Sequence, residues 1–225
     1  MLRLSRHHPP LPPPPRTGPE AAQTRKETGV PRPAGGWSPH AQPPMTDTNT
    51  EAATRADTDG VRMLRVAHDD PRVDGLLAGL LEEYTERYGA EGAANELSRY
   101  PVTEFVAPHG CLVLAELDGE VVAGGALRPY HRDRAIQADT VEFKRVWTSA
   151  RHRRRGLGRR IMSALEGAAR DLGYTRVILF TGPSQPEAVA LYERIGYRWV
   201  DPATVEDLPY PKAIPFAHDL TPDRV

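Results

Sequence analysis

Apolar positions are sparse and follow no period over the first 60 residues, and from Val61 onward they fall into short repeats. Val61, Met63, Leu64 and Val66 predict a first strand. Val73, Leu76, Leu77, Leu80, Leu81, Tyr84 and Tyr88 recur at steps of three and four, which predicts one face of a helix, with Asp70 or Asp74 as its cap and a short second helix over residues 89–99. Residues 111–117 and 120–127 read as two strands joined through Asp118-Gly119, a hairpin signal because both residues tolerate positive φ. Residues 140–148 continue the meander. Leu157, Ile161, Leu165, Ala168 and Leu172 place one stripe on a helix over residues 156–172 that stops at Gly173. A strand at 176–180, a helix at 185–195 and strands at 197–200 and 213–218 complete the order. Strand, helices, antiparallel meander, helix, strand, helix and strands predict an α+β fold around one mixed sheet.

The residues before this region are rich in Pro, Thr, Ala, Gly and charge, and 12 of the 23 prolines precede Met45. Such a stretch cannot bury enough apolar surface to offset its ordering entropy, so residues 1–60 are expected to form a disordered tail and residues 61–220 the domain. Met45 is an alternative start. The run Leu11 to Pro15 suits a polyproline ligand, although proline runs are also common in tails. Lysine plus arginine number 29 against 30 acidic residues, a net charge of −1, so no global attraction to nucleic acid follows. The lone Cys111 excludes an intramolecular disulfide and reads as an ordinary buried thiol rather than an acyl carrier; a reducing cytoplasm is the natural setting. No apolar run reaches the roughly 18–20 residues that cross a bilayer. His131, His152 and His218 share no ligand spacing, so no metal is expected.

Candidate chemistry concentrates in residues 146–161, where a strand passes through a basic, glycine-containing turn into an amphipathic helix. Unpaired amides at the helix start, the positive helix end and glycines that allow close approach favour a pyrophosphate. Gly156 and Gly158 lack the Cβ atoms that would obstruct such a ligand, and Arg151, Arg153, Arg154, Arg155, Arg159 and Arg160 add positive potential.

Arg153-x-x-Gly156-x-Gly158 resembles the Arg/Gln-x-x-Gly-x-Gly/Ala pattern of the GNAT superfamily of acyl-CoA N-acyltransferases, in that family's strand, turn and helix setting. Downstream, Gln185 to Tyr197, with Ala188, Leu191-Tyr192 and Gly196-Tyr197, resembles the family's helix after the next strand. The resemblance implies a single-domain fold with an antiparallel N-terminal meander, flanking helices and two splayed parallel strands holding acyl-CoA. It implies that the segment Val146, Trp147 and Thr148 pairs with the pantetheine arm, and that Arg153, Arg154, Arg155, Gly156, Leu157, Gly158 and Arg159 hold the pyrophosphate. Gln185 stands where the family often has asparagine. Tyr192 matches the tyrosine proposed to protonate the departing thiolate. Glu142, four residues before Val146 and so on the same strand face by alternation, matches a general base.

The activity so implied is transfer of an acetyl group from acetyl-CoA to a primary amine, small or peptide-borne, by direct attack in a ternary complex; a homodimer is compatible with it. Helices over residues 73–99 and a loop at 129–138 are expected on the acceptor side. Each residue keeps a plainer reading: Glu142, Lys144 and Arg145 as a solvated charged strand face, Tyr192 as a packing tyrosine, Glu82, Glu83, Glu86 and Glu91 as the wet side of a helix. Two other functions compete, a coenzyme-binding sensor without catalysis and a nucleic-acid module using the arginines of the turn; near-neutral charge and the lack of nearby stacking aromatics argue against the second.

Overall fold

Asp118 and Gly119 both take positive φ, 52° and 85°, and close a two-residue turn between β2 (Cys111–Leu117) and β3 (Glu120–Arg132). The structure, a computed structural model, describes residues 60–132, 135–205 and 208–220; the tail expected before them lies outside this range. Around that hairpin stand β1 (Arg62–Val66), α1 (Val73–Ser98), β4 (Ala135–Thr148), α2 (Leu157–Asp171), β5 (Arg176–Thr181), α3 (Pro186–Arg194), β6 (Arg198–Trp199) and β7 (Ile214–Asp219). The strands form one mixed sheet in the order β1-β2-β3-β4-β5-β7-β6. All neighbours run antiparallel except β4 and β5, which are parallel.

Each sheet face carries its own apolar core. Leu76 and Leu80 of α1 bury against Phe105, Leu112, Leu114 and Ala126 on one side. Ile161 and Leu165 of α2, on the stripe that the periodicity predicts, bury with Met162 against Val113, Phe143 and Leu179 on the other. The sheet is thin where the two helices approach it most closely. A Cβ on Gly124 would lie 3.0 Å from Leu76, and one on Gly125 would lie 2.8 Å from Leu165.

α1 is two helical segments joined at Gly89, whose φ of 76° and ψ of 167° break the helix where the second helix was expected to begin. The stripe is narrower than the spacing suggests, because Leu81 is 47% exposed. The expected loop at 129–138 is instead the end of a long hairpin, with His131 paired to Ile136 and Arg132 to Ala135.

β4 departs from regular alternation at a functionally placed point. Lys144 pairs with Ala126 and Trp147 with Gly124, so Arg145 and Val146 together stand opposite the single Gly125. Arg145 absorbs the extra residue with a φ of 57°. The parallel pairing of β4 with β5 runs from Thr140–Arg176 to Phe143–Leu179 and extends no further among the described residues, although both strands continue. The two strands therefore part just before the bulge.

Candidate active site

The basic turn folds as its composition suggests. Arg154 and Gly156 both adopt positive φ, 63° and 79°, and Gly156 is the residue that starts α2. A side chain at Gly156 would meet nothing within 4 Å, so that face of the turn is open. The first helical backbone bond is donated by the Arg160 N–H to the Gly156 carbonyl. The amides of Leu157, Gly158 and Arg159 precede it and have no partner within the helix, which leaves donors and the positive end of the helix dipole at the turn. Gly158, which also lines the cavity over the turn, serves packing as well. A Cβ there would press on Leu191 of α3 at 3.1 Å, so this glycine lets α3 close against α2.

A cavity of ≈ 580 Å³ lies over this turn, lined by Trp147, Thr148, Arg153, Arg154, Gly156 and Arg159 among others. Its charge is mixed, because Glu83 of α1 also borders it. Arg153 donates to Glu83 at 2.9 Å and to the Thr148 carbonyl at 3.3 Å, which ties α1 to the turn. Glu83 also pairs with Arg87 at 2.9 Å, so it is not simply part of a wet helix face. Arg87 in turn bonds the Ser184 carbonyl and Glu187 at the start of α3.

A second cavity of ≈ 220 Å³ adjoins the first, and the two share Val146, Gln185, Ala188 and Tyr192. Gln185 is fixed by the Thr181 hydroxyl, which donates to its side-chain oxygen at 2.9 Å. Tyr192 packs against the rings of Tyr197 and Phe216, and burial pushes its phenol well above the ordinary tyrosine range. Both readings of Tyr192 thus have a structural basis, since it is packed and also borders both cavities. The sequence did not single out Glu96, Phe180 or Tyr210, which line the smaller cavity with Tyr84 and Tyr88. Their common signal is spatial, because they come from α1, from β5 and from the segment before β7.

The bulge separates Glu142 from Val146. Val146 faces the α2 core with Val141 and Phe143, whereas Trp147 packs into the α1 core, and Lys144 on that face reaches Glu96 of α1. Glu142 alternates with Lys144 and so lies on the α1 side; the expected shared face is incorrect because Arg145 shifts the register. Nor are these charges a solvated strand face, since Glu142, Lys144 and Arg145 are all buried. Glu142 lies 3.1 Å from Arg128 Nε and 3.7 Å from Lys144 Nζ, while its Oε1 accepts no hydrogen bond. It borders a third cavity of ≈ 390 Å³ with Tyr100, Glu104 and His131, rather than either cavity that Tyr192 lines. For Lys144, burial lowers the ammonium pKa, but Glu142 and Glu96 outweigh it and the net shift is upward.

Cys111 lines neither shared cavity, and burial raises its thiol pKa. Among the described residues, no cluster of three or more His, Cys, Asp or Glu is placed to hold a metal ion. No helix among them is long and apolar enough to cross a membrane.

The model of the acetyltransferase (GNAT) family matches residues 74–197, which include Val146, Gln185, Ala188 and Tyr192 where the two cavities meet. Rat N-acetyltransferase family 8 member 3 is 29% identical over 120 residues, 53% of this chain and 52% of that protein. The chain thus spans about half the length of the curated relatives it matches. Among solved structures, the GNAT domain of S. lividans PAT superposes with a TM-score of 0.57 at 18% identity, over 71% of this chain and 90% of that one. A GNAT family acetyltransferase from Elizabethkingia anophelis, solved with acetyl-CoA bound, gives a TM-score of 0.50 at 18% identity, over 72% of this chain and 99% of that one. Those two likenesses are of fold.

Proposed function

The chain belongs to the acetyltransferase (GNAT) family, and from that premise we propose that it transfers an acetyl group from acetyl-CoA to a primary amine within a ternary complex. One observation carries this reading. The cavity over the open Gly156 turn runs into the aromatic cavity at Val146, Gln185, Ala188 and Tyr192, beside strands that part after Phe143. The larger cavity supplies what a pyrophosphate and an extended arm need. The amides of Leu157, Gly158 and Arg159 with Arg154 and Arg159 suit the phosphates, and the Val146–Thr148 backbone beside the parting strands suits the amide-bearing arm, once Arg153 releases the Thr148 carbonyl. Arg153 would have to share its guanidinium with Glu83.

When bound, acetyl-CoA supplies the thioester carbonyl that the amine attacks. The residues of the chain hold and move protons around it. An amine reaches a neutral solution mostly protonated and must lose a proton before it attacks. Glu142 is the carboxylate proposed to receive it, and since it borders neither cavity that Tyr192 lines, the proton would reach it through water; both oxygens of Glu96, the carboxylate that does line the smaller cavity, already accept bonds from Lys144 and Arg99. Tyr192 is proposed to donate toward the departing sulfur. Its raised pKa keeps the proton on the phenol at neutral pH, so it acts first as a hydrogen-bond donor to developing negative charge.

Calorimetric titration with coenzyme A tests the site. Gly156→Glu places a side chain and a negative charge in the open face of the turn, and binding should be lost while the circular dichroism spectrum persists. Unchanged affinity in that variant would remove the proposed pyrophosphate site.

A further inference from the structure

The smaller cavity has a composition that selects among amines. The two segments of α1 on either side of Gly89 wrap it, Tyr84 and Tyr88 from the first and Glu96 from the second, and Phe143, Phe180, Tyr192 and Tyr210 complete an aromatic lining. The hydroxyls of Tyr210 and Tyr88 both approach Gly182, where a Cβ would lie 3.4 and 3.8 Å from them. Burial favours the neutral phenols of Tyr84 and Tyr210.

The charges that border this cavity are already matched. Lys144 Nζ donates to Glu96 Oε1 at 2.9 Å, and Arg99 Nε donates to Glu96 Oε2 at 3.1 Å. A second Arg99 nitrogen donates to the Pro209 carbonyl at 3.0 Å. Arg145 turns away, with its guanidinium over the Phe105 ring at 4.2 Å and a bond to the Leu97 carbonyl. An acceptor carboxylate would find its cations engaged, and a second ammonium would compete with Lys144 and Arg99 for Glu96. Beside Gln185 and the tyrosine hydroxyls, which are uncharged, ring faces are what remains for recognition. The volume of ≈ 220 Å³ is smaller than the roughly 300–1,000 Å³ that hold drug-sized ligands, which limits the occupant to about one ring and a short arm.

We infer that the acceptor is a primary amine on a short chain attached to a planar aromatic ring, with neither a carboxylate nor a second ammonium. The inference rests on the acetyl-transfer reading and specifies its substrate class. The lining positions the ring, and the arm points the nitrogen toward the junction at Tyr192.

The test measures kcat/KM of the full chain, at saturating acetyl-CoA, for 2-phenylethylamine, 2-cyclohexylethylamine, phenylalanine and kanamycin, with calorimetry of 2-phenylethylamine on the coenzyme A complex as a readout independent of turnover. The expected preference for the phenyl over the cyclohexyl compound is about tenfold, the scale of an aromatic contact beyond simple burial. Phenylalanine and kanamycin should fall about 10²-fold below 2-phenylethylamine, because their extra charges enter a site whose own charges are engaged. Tyr88→Leu and Tyr210→Leu keep apolar bulk and should bring the phenyl-to-cyclohexyl ratio close to one without changing the KM for acetyl-CoA. Equal use of the cyclohexyl compound, or better use of phenylalanine or kanamycin, overturns the inference. So does a chain that binds coenzyme A but neither binds nor acetylates 2-phenylethylamine. Failure to bind coenzyme A at all overturns the parent reading, and this one with it.

Discussion

Tyr192 and Glu142 make separable predictions at the level of single atoms. Tyr192→Phe removes one oxygen from a ring that remains packed on Tyr197 and Phe216, so stability should change little. If the hydroxyl stabilises the departing sulfur, kcat falls by about 10² to 10⁴ while the KM for acetyl-CoA moves far less. Full activity with a lowered melting temperature would make the hydroxyl structural. Glu142→Gln should lower kcat most near neutral pH, and the deficit should shrink as the pH rises toward the pKa of the amine, which then deprotonates without help. A purely structural Glu142 gives a deficit that does not respond to pH, because its loss would act only through the uncompensated Arg128 and Lys144. The residue types of the turn and of α3 were legible in the sequence because glycine, arginine and tyrosine at those positions carry chemistry of their own. The bulge was not legible. It depends on how β4 registers against Gly124 and Gly125 of another strand, and nothing in the sequence near Arg145 announces a φ of 57°. The strained position itself is testable. Arg145→Ala keeps the left-handed backbone and Arg145→Gly relieves it, so the glycine variant should be the more stable of the two by about 1 kcal/mol in urea denaturation. The opposite order would mean that the bulge relaxes when its guanidinium is removed.

Among the elements, α1 couples the two cavities. Its first segment gives Glu83 to the larger cavity and Tyr84 and Tyr88 to the smaller one, and its second gives Glu96 to the smaller. The helix can lie this close to β4 because Gly79 has no side chain; a Cβ there would fall 2.2 Å from the Trp147 ring. Gly79→Ala should therefore destabilise the protein, even though alanine gains about 1 kcal/mol of helix propensity, because overpacking typically costs 1–3 kcal/mol and displaces Trp147. Denaturation with urea checks this, and a raised midpoint would contradict the packing. Trp147 thus has its side chain in the α1 core while its backbone borders the opening between β4 and β5, a division of roles that sequence spacing cannot reveal. Most elements were visible in the apolar periodicity, to within a residue or so at α2, β5, α3 and β7. The hairpin end past Pro129 was missed because its pairs, His131 with Ile136 and Arg132 with Ala135, each set a polar residue against an apolar one, and no alternation along the chain signals them.

Considered as a whole, the molecule keeps several phenols in places that disfavour their ionised form. Burial raises Tyr84, Tyr192, Tyr197 and Tyr210 above the ordinary value of 10.0. The unfolded chain would release these protons near pH 10 while the folded chain retains them, so stability from these groups is intact below that pH and declines above it. The melting temperature should therefore fall steeply as the pH passes about 10. A flat profile to pH 11.5 would show that the phenols are solvated. The composition of residues 1–44 predicts that deleting them leaves the melting temperature and coenzyme affinity unchanged, and a drop of several degrees would show that they join the fold. Acetyl transfer is read out by mass spectrometry of a small primary amine incubated with acetyl-CoA and the full chain. An N-acetylated amine and free coenzyme A should form in equal amounts, with both abolished by Gly156→Glu. Coenzyme A bound with no amine acetylated across aromatic amines, amino acids, aminoglycosides and peptide N-termini would contradict acetyl transfer and leave a coenzyme-binding sensor.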